Sequence, residues 1–286
     1  VSFTTADRQD VKLVGQSAAI RAIDAEIDRA ARSDAKVLIT GETGSGKEVV
    51  ARLIHRRSSR ALANLVTLNC AGLPDSLLES ELFGHARGSF TGAYRDKPGL
   101  LEMAPNGTVF LDEVGEMSTR MQVVLLRFLE TGEIQRLGGD GIQAKVNVRL
   151  ITATNRDLRA QIETGAFRED LYFRLNVIHI TVPSLRDRPG DVPLLVDHFL
   201  GVYTRQHRLP PVEVTAEALA VLDGYAWPGN VRELKNVVER MVLKAGGHDI
   251  RVSDLPQELT RGAAKAAHPA AAPTGERAAP DPASRP

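Results

Sequence analysis

The segment that most constrains this chain is a short apolar run feeding a glycine-rich loop. Val37-Leu38-Ile39-Thr40 leads directly into Gly41-Glu42-Thr43-Gly44-Ser45-Gly46-Lys47-Glu48. Beyond it, Val49, Val50, Leu53 and Ile54 fall at helical spacing. Strand, glycine loop and helix in that order form the setting of a phosphate-cradling loop. The glycines let successive backbone N–H groups turn toward anionic oxygens, and the helix N-terminus adds partial positive charge. Lys47 is placed to reach the β and γ phosphates of a nucleotide. One position departs from the usual pattern: Glu48 stands where Ser or Thr ordinarily ligates Mg²⁺.

The pattern around this unit extends it into a domain. Ile20, Ile23, Ile27, Ala30 and Ala31 recur at helical spacing before the loop. After it come short apolar runs at 65–68, 108–111, 148–153 and 177–182, with helical stretches between them. Continuous apolar strands alternating with helices indicate a parallel sheet covered on both faces. From 184 to about 259 only helical patterns occur, at 194–203, 216–222 and 231–243. The expected division is an N-terminal segment 1–12, an α/β domain 13–183 and a small helical domain 184–261. An Ala/Pro-rich linker at 262–286 closes the chain.

Composition narrows the setting. Across 286 residues, 36 Lys and Arg balance 36 Asp and Glu, which argues against a dedicated polybasic nucleic-acid binder. A 43% hydrophobic and 25% charged chain is an ordinary globular one. Cys70 stands alone, so no internal disulfide is available and a reducing compartment is expected. Neither a signal peptide nor an apolar run of about 18 residues is found, so a cytoplasmic location without membrane contact is expected.

The second half of the site lies in Thr108-Val109-Phe110-Leu111-Asp112-Glu113. An apolar strand ending in two acids places Asp112 near a metal and Glu113 where a water attacks. With the phosphate loop, this pair points to ATP as the nucleotide and Mg²⁺ as its ion. Asp112 is the first metal ligand expected, with Glu48 a second candidate.

Residues 83–95 read Phe83-Gly84-His85-Ala86-Arg87-Gly88-Ser89-Phe90-Thr91-Gly92-Ala93-Tyr94-Arg95. Here the chain resembles the bacterial enhancer-binding proteins (NtrC-like), AAA+ ATPases that activate transcription by sigma-54 RNA polymerase. Their hallmark loop Gly-Ala-Phe-Thr-Gly-Ala appears as Gly88-Ser89-Phe90-Thr91-Gly92-Ala93, a small-for-small change at Ser89. Gly88 and Gly92 allow a tight hairpin, and an apolar Phe90 at its tip marks a contact surface unless it packs back on the core.

The resemblance covers roughly 13–259 and implies an AAA+ fold, a parallel sheet flanked by helices and followed by an all-helical lid. It implies further roles residue by residue. Val14 and Gly15 lie in the segment lining the adenine pocket. Asn69 matches the switch residue thought to hold the catalytic Glu, and Asn155 the first sensor of the γ phosphate. Arg168 and Arg174 match the arginine fingers, which act on a neighbour's nucleotide in a ring of six or seven copies. Their six-residue spacing would point them in different directions on a regular helix. Arg232 matches the second sensor, with Asn230 expected to cap its helix, and 185–188 looks like the linker to the lid. The partner implied for 88–93 is sigma-54 in the RNA polymerase holoenzyme.

Family members usually carry a sensory or receiver domain and a DNA-binding domain. Neither pattern is expected in this chain, so enhancer DNA would be reached only through a domain outside it. Two alternatives stay open: an ATP-gated oligomeric binding module without productive turnover, and a different AAA+ remodeller for which 88–93 would be coincidence.

Overall fold

The structure, a computed structural model, describes residues 11–90, 93–139, 141 and 144–260. Thr91 and Gly92 of the 88–93 motif, most of the 1–12 segment and the 262–286 linker lie outside the described residues. In chain order the main elements begin with α1 (Ala18–Ala31), β1 (Val37–Thr40) and α2 (Lys47–Arg56). They continue with β2 (Leu65–Asn69), α3 (Asp75–Phe83), β3 (Thr108–Asp112) and α4 (Thr119–Thr131). After these come β4 (Arg149–Thr154), α5 (Glu169–Leu175), β5 (Ile178–Thr181), α6 (Asp191–His207), α7 (Ala216–Asp223) and α8 (Asn230–Ala245).

The five strands form one sheet in the order β2-β3-β4-β1-β5, parallel at every pairing. Apolar residues on both sides of the inner strands β1 and β3 explain why helices cover both faces, whereas the edge strand β5 exposes His179 and Thr181. Along β1, Val37 and Ile39 enter a core shared with α1 and α2, through Ile23, Ile27, Val50 and Ile54. Leu38 between them points into the opposite core, with Leu78, Leu82, Met121 and Leu125 of α3 and α4. That period of two, apolar on both phases, is what a doubly covered strand requires.

A third core lies outside the sheet, among α6, α7 and α8: Leu195, Val196, Leu200, Leu222, Leu234, Val238 and Met241. Trp227 is fully buried within it, donates its indole N–H to the Leu222 carbonyl at 2.9 Å and meets Tyr225 edge to face. This helical unit is the lid.

Because all five strands run the same way, their C-terminal ends share one edge. Thr40 lies beside Thr154 and Asn69 beside Asp112 in the strand register. The phosphate-loop residues, the two acids and both asparagine candidates are therefore delivered to one rim. Parallel sheets place ligands at that rim, where the strand order reverses. Here the reversal is at β1, between β4 and β5.

Two short antiparallel pairings were not apparent in the apolar pattern. Gly84-His85 pairs with Lys97-Pro98, and Glu133-Ile134 with Ala144-Lys145. The first is the stem of the 88–93 hairpin. It is tied to the segment between the two strands of the second: Ala86 donates to the Leu137 carbonyl, and Leu137 donates to that of Gly84, both at 3.0 Å.

Candidate nucleotide site

The loop after β1 turns on glycines whose backbone no other residue adopts easily. Gly46 has φ +108°, and a Cβ there would meet nothing within 4 Å, so the loop is open on that side. No side chain caps the start of α2, which leaves its first-turn N–H groups available to an anion. The Lys47 side chain is only 6% exposed. Its ammonium donates to the carbonyls of Gly41 at 2.9 Å and Glu42 at 3.4 Å, and lies 3.7 Å from Glu113 Oε1.

Asp112 ends β3 and Glu113 follows in the left-handed region, at φ 55°. A non-glycine residue in that region carries about 1–3 kcal/mol of strain, and this one aims the carboxylate across the rim. Glu113 Oε2 accepts the Asn155 N–H at 3.1 Å, while the Asn155 amide group donates to Thr43 Oγ1 at 2.9 Å. Asn155 thus connects the acid to the phosphate loop. Burial, and then the adjacent Glu113, push the Asp112 carboxyl above its ordinary range, against the pull of Lys47.

That displaced carboxyl is what a divalent cation would relieve, so Asp112 fits a Mg²⁺ ligand. Glu48 fits less well, because its Oε1 accepts from Arg52 Nη2 and Nε at 2.7 and 3.0 Å on the exposed side of α2. Among the described residues no group of three His, Cys, Asp or Glu could enclose a metal. Ions of this kind commonly take one or two carboxylates and complete their shell with phosphate and water.

Asn69 ends β2 at the same rim. Its Oδ1 accepts the Ala71 N–H at 2.7 Å, closing a local turn, and it does not engage Glu113. Asn230 does not cap α8 as its sequence position suggested. Gly229 occupies the cap position without a side-chain bond, and Asn230 itself lies at φ 54° with its amide spent on other segments. Its Oδ1 accepts the Leu185 N–H, and its Nδ2 donates to Glu42 and to the Thr43 carbonyl. Arg232 sits against the loop, its N–H donating to the Gly44 carbonyl at 3.3 Å. A Cβ on Gly44 would come within 2.4 Å of the Gly229 carbonyl, so only glycine permits this approach.

Arg168 precedes α5 and pairs with Asp170 at 2.6 Å, and Arg174 occupies the last turn of the same helix, exposed. Neither is joined to the loop residues of its own chain. Phe90 is half-buried and rests edge to face on the His85 ring, centroids 4.9 Å apart. Ala93 is buried, and Gly88 and Ala93 close the base of the hairpin with a 2.8 Å hydrogen bond. Ser89 packs onto Gly138, where a Cβ would clash at 2.5 Å.

Two residues at the hinge escaped sequence reasoning. Asp191 is fully buried, and its carboxylate accepts from Gln16 N, Ser17 N and Ser17 Oγ at 2.7–2.9 Å. It also packs against Gly15, whose Cβ would lie 2.6 Å from Oδ2. Arg188, also buried, donates to the carbonyls of Ser45 and Pro183 at 2.7 and 2.6 Å. The signal available was a charged residue on either side of Pro189-Gly190, at the start of a helix. A cavity of about 520 Å³ lies beside Val14 and Gly15, lined also by Leu13, Ile20 and Leu53; residues 41–48 do not line it.

A phosphate loop after β1, an acid-tipped strand β3 on the far side of β4 and a helical lid packed against the loop define a nucleotide-binding domain of the AAA+ class. Comparison with known proteins narrows that class. The chain belongs to the sigma-54 activators: the Sigma-54 interaction domain matches residues 13–181 and the AAA+ ATPase lid domain residues 186–272.

Transcriptional regulatory protein ZraR of Escherichia coli K12 is 51% identical over 244 residues, 85% of this chain and 55% of the relative. Regulatory protein AtoC of the same strain is 46% identical over 265 residues, 93% of this chain and 57% of AtoC. This chain therefore spans about half the length of the curated relatives it matches. Among solved structures, NtrX from Brucella abortus in complex with ATP aligns with TM-score 0.82 at 38% identity. That alignment covers 88% of this chain and 55% of NtrX, and the ADP complex aligns with TM-score 0.81. No described helix is long and apolar enough to cross a membrane.

Proposed function

We propose that this chain is the ATP-hydrolysing motor of a sigma-54-dependent activator, with a hinge near 183–184 between its α/β domain and lid. The observation that carries the reading is the convergence at one sheet rim: Lys47 Nζ lies 3.7 Å from Glu113 Oε1, and Asn155 contacts both Glu113 and Thr43. ATP seats its phosphates over the loop N–H groups, with Lys47 at the β and γ phosphates. Asp112 would hold Mg²⁺, which would supply charge neutralisation at the transferred phosphate. Glu113 orients and deprotonates the attacking water, and Asn155 senses whether the γ phosphate is present.

Arg168, just before α5, and Arg174, in its last turn, are not joined to the phosphate loop of their own chain; in a hexameric or heptameric ring they serve the neighbouring copy, one at its nucleotide and one at the subunit seam. Asn69 acts as the switch by exchanging its local turn for Glu113. The 88–93 hairpin carries Phe90 to sigma-54 in the RNA polymerase holoenzyme. Loss of γ-phosphate contacts changes which hairpin state is favoured. Enhancer DNA is reached through a domain outside this chain.

Turnover measured at high protein concentration separates this reading from an ATP-gated binding module. Wild-type protein hydrolyses ATP, and Glu113→Gln lowers the rate about 10²–10⁴-fold while ATP binding persists. Absence of turnover in the wild type would favour the binding module.

A further inference from the structure

We propose that Glu42 is a positioning residue that clamps the lid to the phosphate loop, its charge neutralised by Arg186 so that the anionic nucleotide is tolerated. The inference rests on the nucleotide-binding reading above and deepens it. An acid one residue into a phosphate loop is an electrostatic liability, because its charge repels the ligand the loop is built to hold. In this fold the Glu42 side chain is committed elsewhere. Its Oε2 accepts from Arg186 Nη1 and Asn230 Nδ2, both at 3.0 Å, and its Oε1 is paired with Arg186 Nη2. The fork of Arg186, followed by Asn230, holds the Glu42 carboxyl below its ordinary range.

The clamp belongs to a continuous seam. Four successive loop residues are each bonded to the hinge or the lid. Glu42 meets Arg186 and Asn230, and the Thr43 carbonyl meets Asn230. The Gly44 carbonyl meets the Arg232 N–H, and the Ser45 carbonyl meets Arg188. Asn230 is fully buried in a left-handed backbone conformation, which an asparagine adopts more readily than most residues. Its amide joins the loop, the hinge at Leu185 and the start of α8. The loop therefore cannot change shape without the lid registering it.

Charge neutralisation makes a prediction that a merely structural salt bridge does not. ADP affinity is measured by calorimetry on the whole chain, for wild type, Lys47→Ala, Glu42→Gln, Arg186→Gln and the double variant Glu42→Gln/Arg186→Gln. Arg186→Gln leaves an uncompensated carboxylate beside the phosphates and weakens ADP binding about 10-fold, whereas Glu42→Gln weakens it only about 3-fold. The double variant returns to the Glu42→Gln level, tighter than Arg186→Gln alone. At saturating ATP, kcat of Arg186→Gln stays within about threefold of wild type while KM rises.

Asn230→Gly keeps the backbone conformation and deletes the amide bonds. It provides a second route to the same loss of affinity should Arg186→Gln fold poorly. Arg186→Gln binding like wild type, or a double variant weaker than either single one, overturns the clamp. Folded wild type that binds no ADP, indistinguishable from Lys47→Ala, would instead overturn the nucleotide-site reading on which the clamp depends.

Discussion

At the scale of single residues, the site is organised by side chains that do not themselves touch a phosphate. Glu113 is aimed by a strained backbone and held by the Asn155 N–H. Asp191 accepts three hydrogen bonds with no exposure to water, which fixes Gln16 and Ser17 beside the Val14–Gly15 turn. A buried carboxylate serving three donors leaves all of them unsatisfied when it is removed. Asp191→Ala is therefore expected to lower the free energy of unfolding by about 3 kcal/mol in urea titrations. A change under about 0.5 kcal/mol would show that these donors find other partners.

At the scale of elements, the strands were legible because a parallel strand covered on both faces needs an unbroken apolar run. The runs at 37–40 and 108–111 became β1 and β3, the latter extended by Asp112. The run at 177–182 shortened to Ile178–Thr181; Val177 is exposed, while Val182 stays buried in the sheet core and donates to the Thr40 carbonyl at 2.7 Å. The three lid helices were legible from their spacing: α6 and α8 run one to four residues further at both ends than the apolar pattern, and α7 one residue further at its C-terminal end.

The 84–85/97–98 and 133–134/144–145 pairings were not legible. Strands of two residues carry no periodicity, and they form here because the hairpin stem and the chain at Leu137 bond to each other. Within the candidate site, Lys47, Asp112 and Glu113 were proposed from chemistry tied to position in a motif, and Asn155 from the family resemblance. The tasks of Asn230, Arg188 and Asp191 could not, because each depends on a partner more than 40 residues away that only the folded chain brings near.

At the scale of the whole molecule, stability follows from how the sheet, lid and hairpin are joined. Burial holds the imidazoles of His55 and His198 below their ordinary 6.5. The unfolded chain then takes up these protons at a higher pH than the folded one, so stability falls as pH drops through about 6.5. The thermal midpoint is expected to be lower at about pH 5.5 than at about pH 7.5, with a smaller difference in His55→Gln; a flat profile would contradict this.

The proposed motor links the rim of the sheet to Phe90, which rests on His85 at the base of the hairpin. The most direct test compares open-complex formation by sigma-54 RNA polymerase with ATP turnover in wild type and Phe90→Ala. The expected result is turnover within about threefold of wild type together with loss of sigma-54 binding and of open complexes. Open complexes formed by Phe90→Ala at the wild-type level would contradict the account.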